Sequence, residues 1–269
     1  VEPKMETRSI LIVAKELPFH DRSSGNFRLF QIIRILVAQG HSLTFVARPT
    51  FRDIDTAPYI RELEQLGVTV HQFYDEQTFL DNNEDQNSLC YLLSHSIFDV
   101  AYLVFYSVAE LYLERIKTYS PRTRIVVDSV DVHFLREQRQ NAIEDAVRLT
   151  SFTENKVREL NVYSKADMVI LLTEIDKQAL LTEVPHVDTV IIPNIHPLVS
   201  HPRPDYNARR DIIFVGGYTH EPNIDAVEYL CSSIWPLIAP KLPDCRLVIA
   251  GNAPPPRVLR FASERIIIT

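Results

Sequence analysis

Short apolar runs alternate with amphipathic stretches along most of the chain. Ile10–Ala14 is apolar; polar Lys15–Arg22 follows, then Ser23-Ser24-Gly25-Asn26 and a helix-patterned stretch from Phe27 to Gln39 that Gly40 ends. Leu43–Ala47 and Val68–Phe73 read as strands, with a helix over Tyr59–Leu66 between them. Thr78–Asn87 is polar and acidic and reads as an exposed connection. Tyr91–Ser96 is helix-like, Val100–Phe105 a buried strand, Ser107–Tyr119 a helix and Arg124–Asp128 a strand. Phe134–Ala166 reads as a long covering helical region, its apolar Ala142, Ala146, Leu149 and Phe152 recurring at helical spacing. Asp167–Leu172 is a further strand, Thr173 a helix N-cap with Asp176 as its capping-box partner, and Val190–Pro193 one more strand. This alternation predicts an α/β fold with a parallel, doubly wound sheet.

His196–Arg209 interrupts the pattern with Pro197, Pro202 and Pro204 among polar residues, the composition of a linker. The expected organisation is an N-terminal Rossmann-like domain over 1–196, a linker at 197–204 and a second Rossmann-like domain over 205–269. The second stretch holds strand Asp211–Val215, a helix over Asn223–Ala239, strand Arg246–Ala250, a turn at Gly251–Pro256, a short helix over Leu259–Glu264 and a strand from Arg265 to Ile268. Three strands are few for a doubly wound domain, so this one is expected to be incomplete.

Composition narrows the function classes. Apolar residues make up 46% of the 269, enough for an ordinary core. With 35 acidic against 28 basic side chains the formal charge is −7, which argues against a nucleic-acid surface but not against a local phosphate cleft. Cys90, Cys231 and Cys245 form no metal-ligand spacing, so no metal site is expected. Their sparse, odd count fits a reducing, cytoplasmic setting. No apolar run reaches the roughly 18–20 residues that span a bilayer; peripheral contact with the inner face of a membrane stays open. Val1–Arg8 is no signal peptide, and the missing initiator Met suggests a chain excised from something longer.

Two segments share one design. After Ile10–Ala14 come Ser24, Gly25 and Asn26 at a helix start; after Asp211–Val215 come Gly216 and Gly217, then Tyr218, Thr219 and His220 before another helix. A strand, small residues and a helix start place backbone N–H groups and a helix dipole against a phosphate. Two such units suggest two facing nucleotide-fold domains with a ligand between them.

The ordered series of motifs resembles the group 1 retaining glycosyltransferases with the GT-B fold. It comprises Asp21-x-Ser23-Ser24-Gly25-Asn26-x-Arg28 with Gly40-His41, Ala166–Ile170 before Thr173, Ile191-Ile192-Pro193-Asn194, and Phe214–Gly217 with His220-x-Pro222-Asn223-x-Asp225-Ala226. Trp235-Pro236, Pro243-Asp244-x-Arg246-Leu247 and Ile249-Ala250-Gly251 continue it. The resemblance implies sugar transfer with retention from a nucleotide sugar to a glycan or lipid-linked acceptor, without a resident cofactor or required metal. The acceptor would bind the first domain and the donor nucleotide the second. The Val-Asp-x-His-Phe-Leu-Arg segment points within the family to bacterial surface-polysaccharide synthesis.

Three departures bear on activity. The family's Glu-x7-Glu segment does not occur before Thr269, which implies a C-terminally truncated member with little activity alone. The Arg and Lys that follow the second glycine turn in many members are replaced by Tyr218, Thr219 and His220. The usual His-Asp pair is replaced by Val130-Asp131, with His133 two residues on.

The resulting site expectations are Ser24, Gly25, Asn26, Gly216, Gly217 and His220 for the donor diphosphate. His20, Asp21, Arg28 and Tyr106 would bind the acceptor, and Asp131 or His133 would orient the reacting groups. Plainer readings stand beside each: helix capping for Asp131, a surface position for His220, cleft or solvent equally for Arg28. Asp128 shares the strand end with Asp131. Arg136 and Arg139 read as solvated charges paired with Glu137, with an anionic acceptor as the alternative. Two rivals remain: a nucleotide-sugar epimerase on the same scaffold, and a non-catalytic glycan-binding or assembly module.

Overall fold

The computed structural model describes residues 6–47, 54–72, 88–141, 149–198, 205–218 and 220–269. The polar connection expected over Thr78–Asn87, Ala142, Ala146, most of the expected linker, and Thr219 lie outside the described residues. The chain divides into two compact units, Val1–His196 and Pro197–Thr269.

Unit 1 is built on seven strands: β1 Ser9–Ala14, β2 Ser42–Ala47, β3 Thr69–Gln72, β4 Val100–Val104, β5 Arg124–Asp128, β6 Met168–Leu171 and β7 Thr189–Ile191. They form one sheet in the order β3-β2-β1-β4-β5-β6-β7. Every pairing is parallel; Ile12, for example, stands beside Phe45 on β2 and Tyr102 on β4. The chain winds outward from β1 through β2 to β3, then crosses to β4 and winds the other way. The reversal between β1 and β4 is the topological switch point, where sheets of this kind bind ligands beyond their carboxyl ends.

The helices are α1 Ser24–Ala38, α2 Ala57–Gln65, α3 Leu89–His95, α4 Tyr106–Tyr119, α5 His133–Asn141, α6 Leu149–Lys165 and α7 Glu174–Glu183. Both sheet faces are covered. Leu11, Val13, Leu103 and Val127 pack on one side with Leu113 and Ile116 of α4 and Val162 and Tyr163 of α6. Ile10, Ile12, Phe45 and Val104 pack on the other with Leu29, Ile32 and Ile33 of α1 and Leu63 of α2. Burial on both faces is why these strands read as continuous apolar runs. Thr173 forms the expected capping box: its Oγ1 accepts from Asp176 N–H, and Asp176 accepts from Thr173 N–H.

Unit 2 holds three parallel strands, β8 Ile212–Val215, β9 Leu247–Ala250 and β10 Ile266–Ile268, in the order β10-β9-β8. Leu247, Ile249 and Ile266 pack with Ile224 and Val227 of α8 (Glu221–Tyr229) and with Trp235. Ile213 and Val215, on the other face of β8, are exposed. The helix expected over Asn223–Ala239 starts earlier and is interrupted by a π-helical segment, Leu230–Ile234, before α9 Trp235–Ile238. The short helix expected over Leu259–Glu264 instead occupies Pro256–Leu259, α10. Proline is pre-set for a first helical position, and an antiparallel bridge between Ser263 and Ile266 occupies the end of the expected span.

Candidate functional site

In unit 1 the expected residues gather at the carboxyl ends of β1, β4 and β5. Ser23 is the N-cap of α1; its Oγ accepts from Asn26 N–H at 3.2 Å and its carbonyl from Phe27 N–H at 2.9 Å. Gly25 is therefore not a turn glycine. It lies inside the first helical turn, where the helix's N–H groups lack intrahelical partners and the positive end of its dipole emerges. A Cβ at Gly25 would stand 3.4 Å from Val130 Cγ1, so the loop after β5 approaches the start of α1 closely. Asn26 turns its amide to Glu16, donating to Oε1 at 3.3 Å.

Two residues beside this approach hold unusual backbone conformations. Phe105, after β4, has φ +75° and Val130, after β5, has φ +54°. For bulky and β-branched residues such values are true outliers, and strain of this kind concentrates at functional sites. The surroundings hold both in place. Phe105 N–H donates to Asp128 O at 2.8 Å, and Val130 N–H donates to Asp128 Oδ1 at 3.1 Å.

Arg28 faces neither an open cleft nor solvent. Its side chain is 1% exposed, and all three guanidinium nitrogens donate to groups inside unit 1. Nη1 donates to Asp128 Oδ2 at 2.6 Å, Nη2 to Ile192 O at 2.8 Å, and Nε to Ile192 O at 3.0 Å and Pro193 O at 3.3 Å. Asp128 also accepts from Tyr102 Oη. The carboxylate that stood as a candidate at this strand end is thus a buried partner of Arg28. A desolvated arginine persists only with such pairing.

Tyr106 does not line an open mouth either. It is buried, and its ring meets the His133 imidazole edge-on at 5.1 Å, with Phe105 at 6.0 Å. His133 is partly buried in this aromatic notch. Burial holds its imidazole below the ordinary histidine value, with Arg136 acting the same way and Asp131 opposing. A neutral ring can accept or donate one proton at a substrate hydroxyl.

Asp131 does not cap α5. Its carboxylate pairs with Arg136 Nη1 at 2.5 Å and is 42% exposed, so it is available at the surface and Arg136 is not paired with Glu137. Helix α5 is capped from α6: Glu159 accepts from His133 N–H at 2.9 Å and Phe134 N–H at 2.8 Å. No local sequence signal marks this contact. The Arg139 side chain lies outside the described residues.

His20 and Asp21 are tied to α2. His20 Nε2 lies 2.8 Å from Glu62 Oε2, with its ring stacked on Phe30 at 4.4 Å. Asp21 accepts from Tyr59 Oη at 2.8 Å, a bond that lowers its carboxyl below the usual range. They form a second cluster, built on α2.

In unit 2, Gly216 and Gly217 follow β8 with φ outside the positive region. A Cβ at Gly216 would stand 2.9 Å from Phe214 Cε1 and 3.0 Å from Asn223 Cγ, whereas one at Gly217 would meet nothing within 4 Å. Gly217 O accepts from Asn223 Nδ2 at 2.9 Å, which closes the turn onto α8. His220 is exposed at the N-cap position without a side-chain capping bond. Gly251, which sequence reading placed only in a turn, proves sterically critical: a Cβ there would stand 2.3 Å from Gly216 O and 2.5 Å from Tyr218 Cε2. Among the described residues no cluster of three or more His, Cys, Asp or Glu could hold a metal ion, and no helix is long and apolar enough to cross a membrane.

No family model matches the sequence, and no curated protein matches it. Solved structures do match the fold, which is GT-B-like α/β. Sucrose-phosphate synthase from Thermosynechococcus elongatus superposes with a TM-score of 0.63 at 12% identity, over 97% of this chain and 70% of that one. HepE from Anabaena, solved in complex with UDP and glucose, gives 0.55 at 14% identity over 97% and 68%. A putative UDP-N-acetylglucosamine 2-epimerase from Listeria monocytogenes gives 0.52 at 12% identity over 98% and 69%.

Proposed function

We propose that the natural protein carrying this sequence is a glycosyltransferase. It moves a sugar, with retention and without a required metal, from a nucleotide sugar to a glycan or lipid-linked acceptor, on the cytoplasmic side. The observation that carries the reading is the cluster in unit 1 at the β1–β4 switch point. There the start of α1, the strained Phe105 and Val130, exposed Asp131 and notch-bound His133 come together. In this reading Asp131 or His133 holds an acceptor or donor-sugar hydroxyl. In unit 2, Gly216 N–H is taken by Ala250 O at 3.0 Å, so the donor diphosphate is received by the remaining backbone N–H groups of the Gly217 turn and the α8 N-terminus, with Tyr218, Thr219 and His220 in place of a basic pair. Backbone donors aimed at developing charge contribute together about 3–4 kcal/mol in such settings. The departing diphosphate takes the acceptor proton, so no protein nucleophile is required. The likeness to a sucrose-phosphate synthase and to a UDP-bound HepE structure supports this reading.

The test is transfer from a panel of nucleotide sugars, with the anomeric configuration of the product read by NMR. Asp131→Asn and His133→Ala are expected to lower turnover about 10²-fold or more. Full transfer by both variants would remove Asp131 and His133 from the reacting site, and glycan binding by the parent without transfer from any nucleotide sugar would favour the glycan-binding module. The likeness to a putative epimerase supports a second reading; a nucleotide sugar epimerised without any acceptor would favour it.

A further inference from the structure

We infer that Glu159 is a positioning residue for His133, holding the imidazole at the carboxyl edge of the sheet through a cap supplied from a different helix. The inference rests on the reading of His133 as a substrate-facing group.

Helix α5 begins at His133 directly after Val132, a residue with no side-chain acceptor for the helix's free N–H groups. Asp131, the nearest residue able to cap, is turned to Arg136. The acceptor comes instead from α6, 26 residues on. Glu159 is fully buried, and its two oxygens divide the work: Oε1 accepts from His133 N–H and Oε2 from Phe134 N–H. Tyr163, one turn later on α6 and also fully buried, donates its hydroxyl to Oε1 at 2.9 Å and fixes the carboxylate's direction. The bond to His133 anchors the backbone atom nearest the imidazole. Among the described residues the ring makes no hydrogen bond; it is placed by that anchor and by the Tyr106 and Phe105 ring edges.

A carboxylate this deep is costly to place, and an ordinary Ser or Asp at position 132 would cap the helix from the surface. The arrangement differs from a local cap in one respect: it references the His133 backbone to α6 rather than to its own loop.

The test uses the full chain with Glu159→Gln, Glu159→Ala and Tyr163→Phe. The first readout is the His133 imidazole, followed by NMR for titration midpoint and ring chemical shift. Arg136 and Asp131, which act on the ring, stay unchanged in every variant, and loss of the Glu159 charge by itself moves the midpoint down, opposite to the shift expected as the ring leaves its notch. Glu159→Ala is expected to move the midpoint upward toward that of a solvated histidine, as the ring leaves its notch. Tyr163→Phe, which leaves the carboxylate in place, should give a smaller shift in the same direction. Glu159→Gln keeps one acceptor and should lie between, so a folded variant remains if alanine is not tolerated. The second readout is transfer kinetics: kcat should fall about tenfold with donor KM within twofold. The His133→Ala/Glu159→Ala double variant should be no slower than His133→Ala alone. An unchanged His133 midpoint and ring shift in folded Glu159→Gln and Tyr163→Phe would overturn the inference, as would fully additive kinetic losses. If His133→Ala leaves transfer untouched while Glu159 variants still move its titration, the functional reading of His133 fails and the positioning contact stands.

Discussion

Arg28 and Asp128, 100 residues apart in sequence, share a 2.6 Å ion pair whose side chains are each 1% exposed. The pair joins α1 to the end of β5. Through Ile192 O and Pro193 O it also fastens the segment after β7. It thereby sets the distance between Gly25 and Val130. Removing one partner of a buried pair strands the other and costs about 3–5 kcal/mol. Arg28→Met and Asp128→Leu are each expected to destabilise unit 1 by about that amount, measured by circular dichroism in denaturant. The double variant should lose less than the sum. Arg28→Lys should not rescue, because an ammonium cannot serve the carboxylate and two carbonyls in the same fork.

Three glycines in unit 2 should respond differently to one methyl group. Gly251→Ala drives a Cβ to within 2.3 Å of Gly216 O, a backbone atom that cannot yield alone, and should cost about 1–3 kcal/mol or more. Gly216→Ala meets the tips of Phe214 and Asn223 and should cost less. Gly217→Ala meets nothing and should stay within about 0.5 kcal/mol of the parent. The chain's single tryptophan is Trp235, buried in unit 2, so its fluorescence in denaturant reports this ranking for that unit.

The pH dependence of stability should contain two opposed contributions from neighbouring groups. Burial lowers His133 from 6.5, so its contribution is complete above 6.5 and is lost as pH falls through the folded value. Burial raises Glu159 from 4.5 despite the bonds it accepts from Phe134, Tyr163 and His133, so its contribution is complete below 4.5 and is lost as pH rises through the folded value. His133→Phe should flatten the acid-side decline below 6.5, and Glu159→Gln the decline above 4.5. Denaturant midpoints collected across that range check both.

Thr173→Ala removes the N-cap of α7 and one half of its capping box. A loss of about 1 kcal/mol is expected in unit 1. Thr173→Ser should recover most of it, since the hydroxyl is the group that accepts from Asp176 N–H.

The sheet was legible in the sequence because burial on both faces writes each strand as an apolar run: the strands expected at Ile10–Ala14, Val100–Phe105 and Arg124–Asp128 lie within a residue or two of those bounds. Capping was legible where it was local, as at Thr173. What stayed hidden depended on partners distant in sequence. Arg28 stands four residues before Ile32 on the buried stripe of α1, the one available hint that its charge points inward. Nothing near Val132 foretells Glu159, and nothing around Phe105 or Val130 foretells a positive φ, because surrounding contacts impose both. The glycine turn after β8 was placed correctly as chain geometry. Its tight spot proved to be Gly251 on the adjacent strand rather than Gly217.

That close approach has a mechanical corollary. With only hydrogen at position 251, the tip of β9 rests against the carbonyl of Gly216 and under the Tyr218 ring. The turn that opens α8 therefore has a floor as well as a hinge, and its height is set by a neighbouring strand. A single carbon added to that floor would tilt the amide groups of the turn without altering any residue of the turn itself.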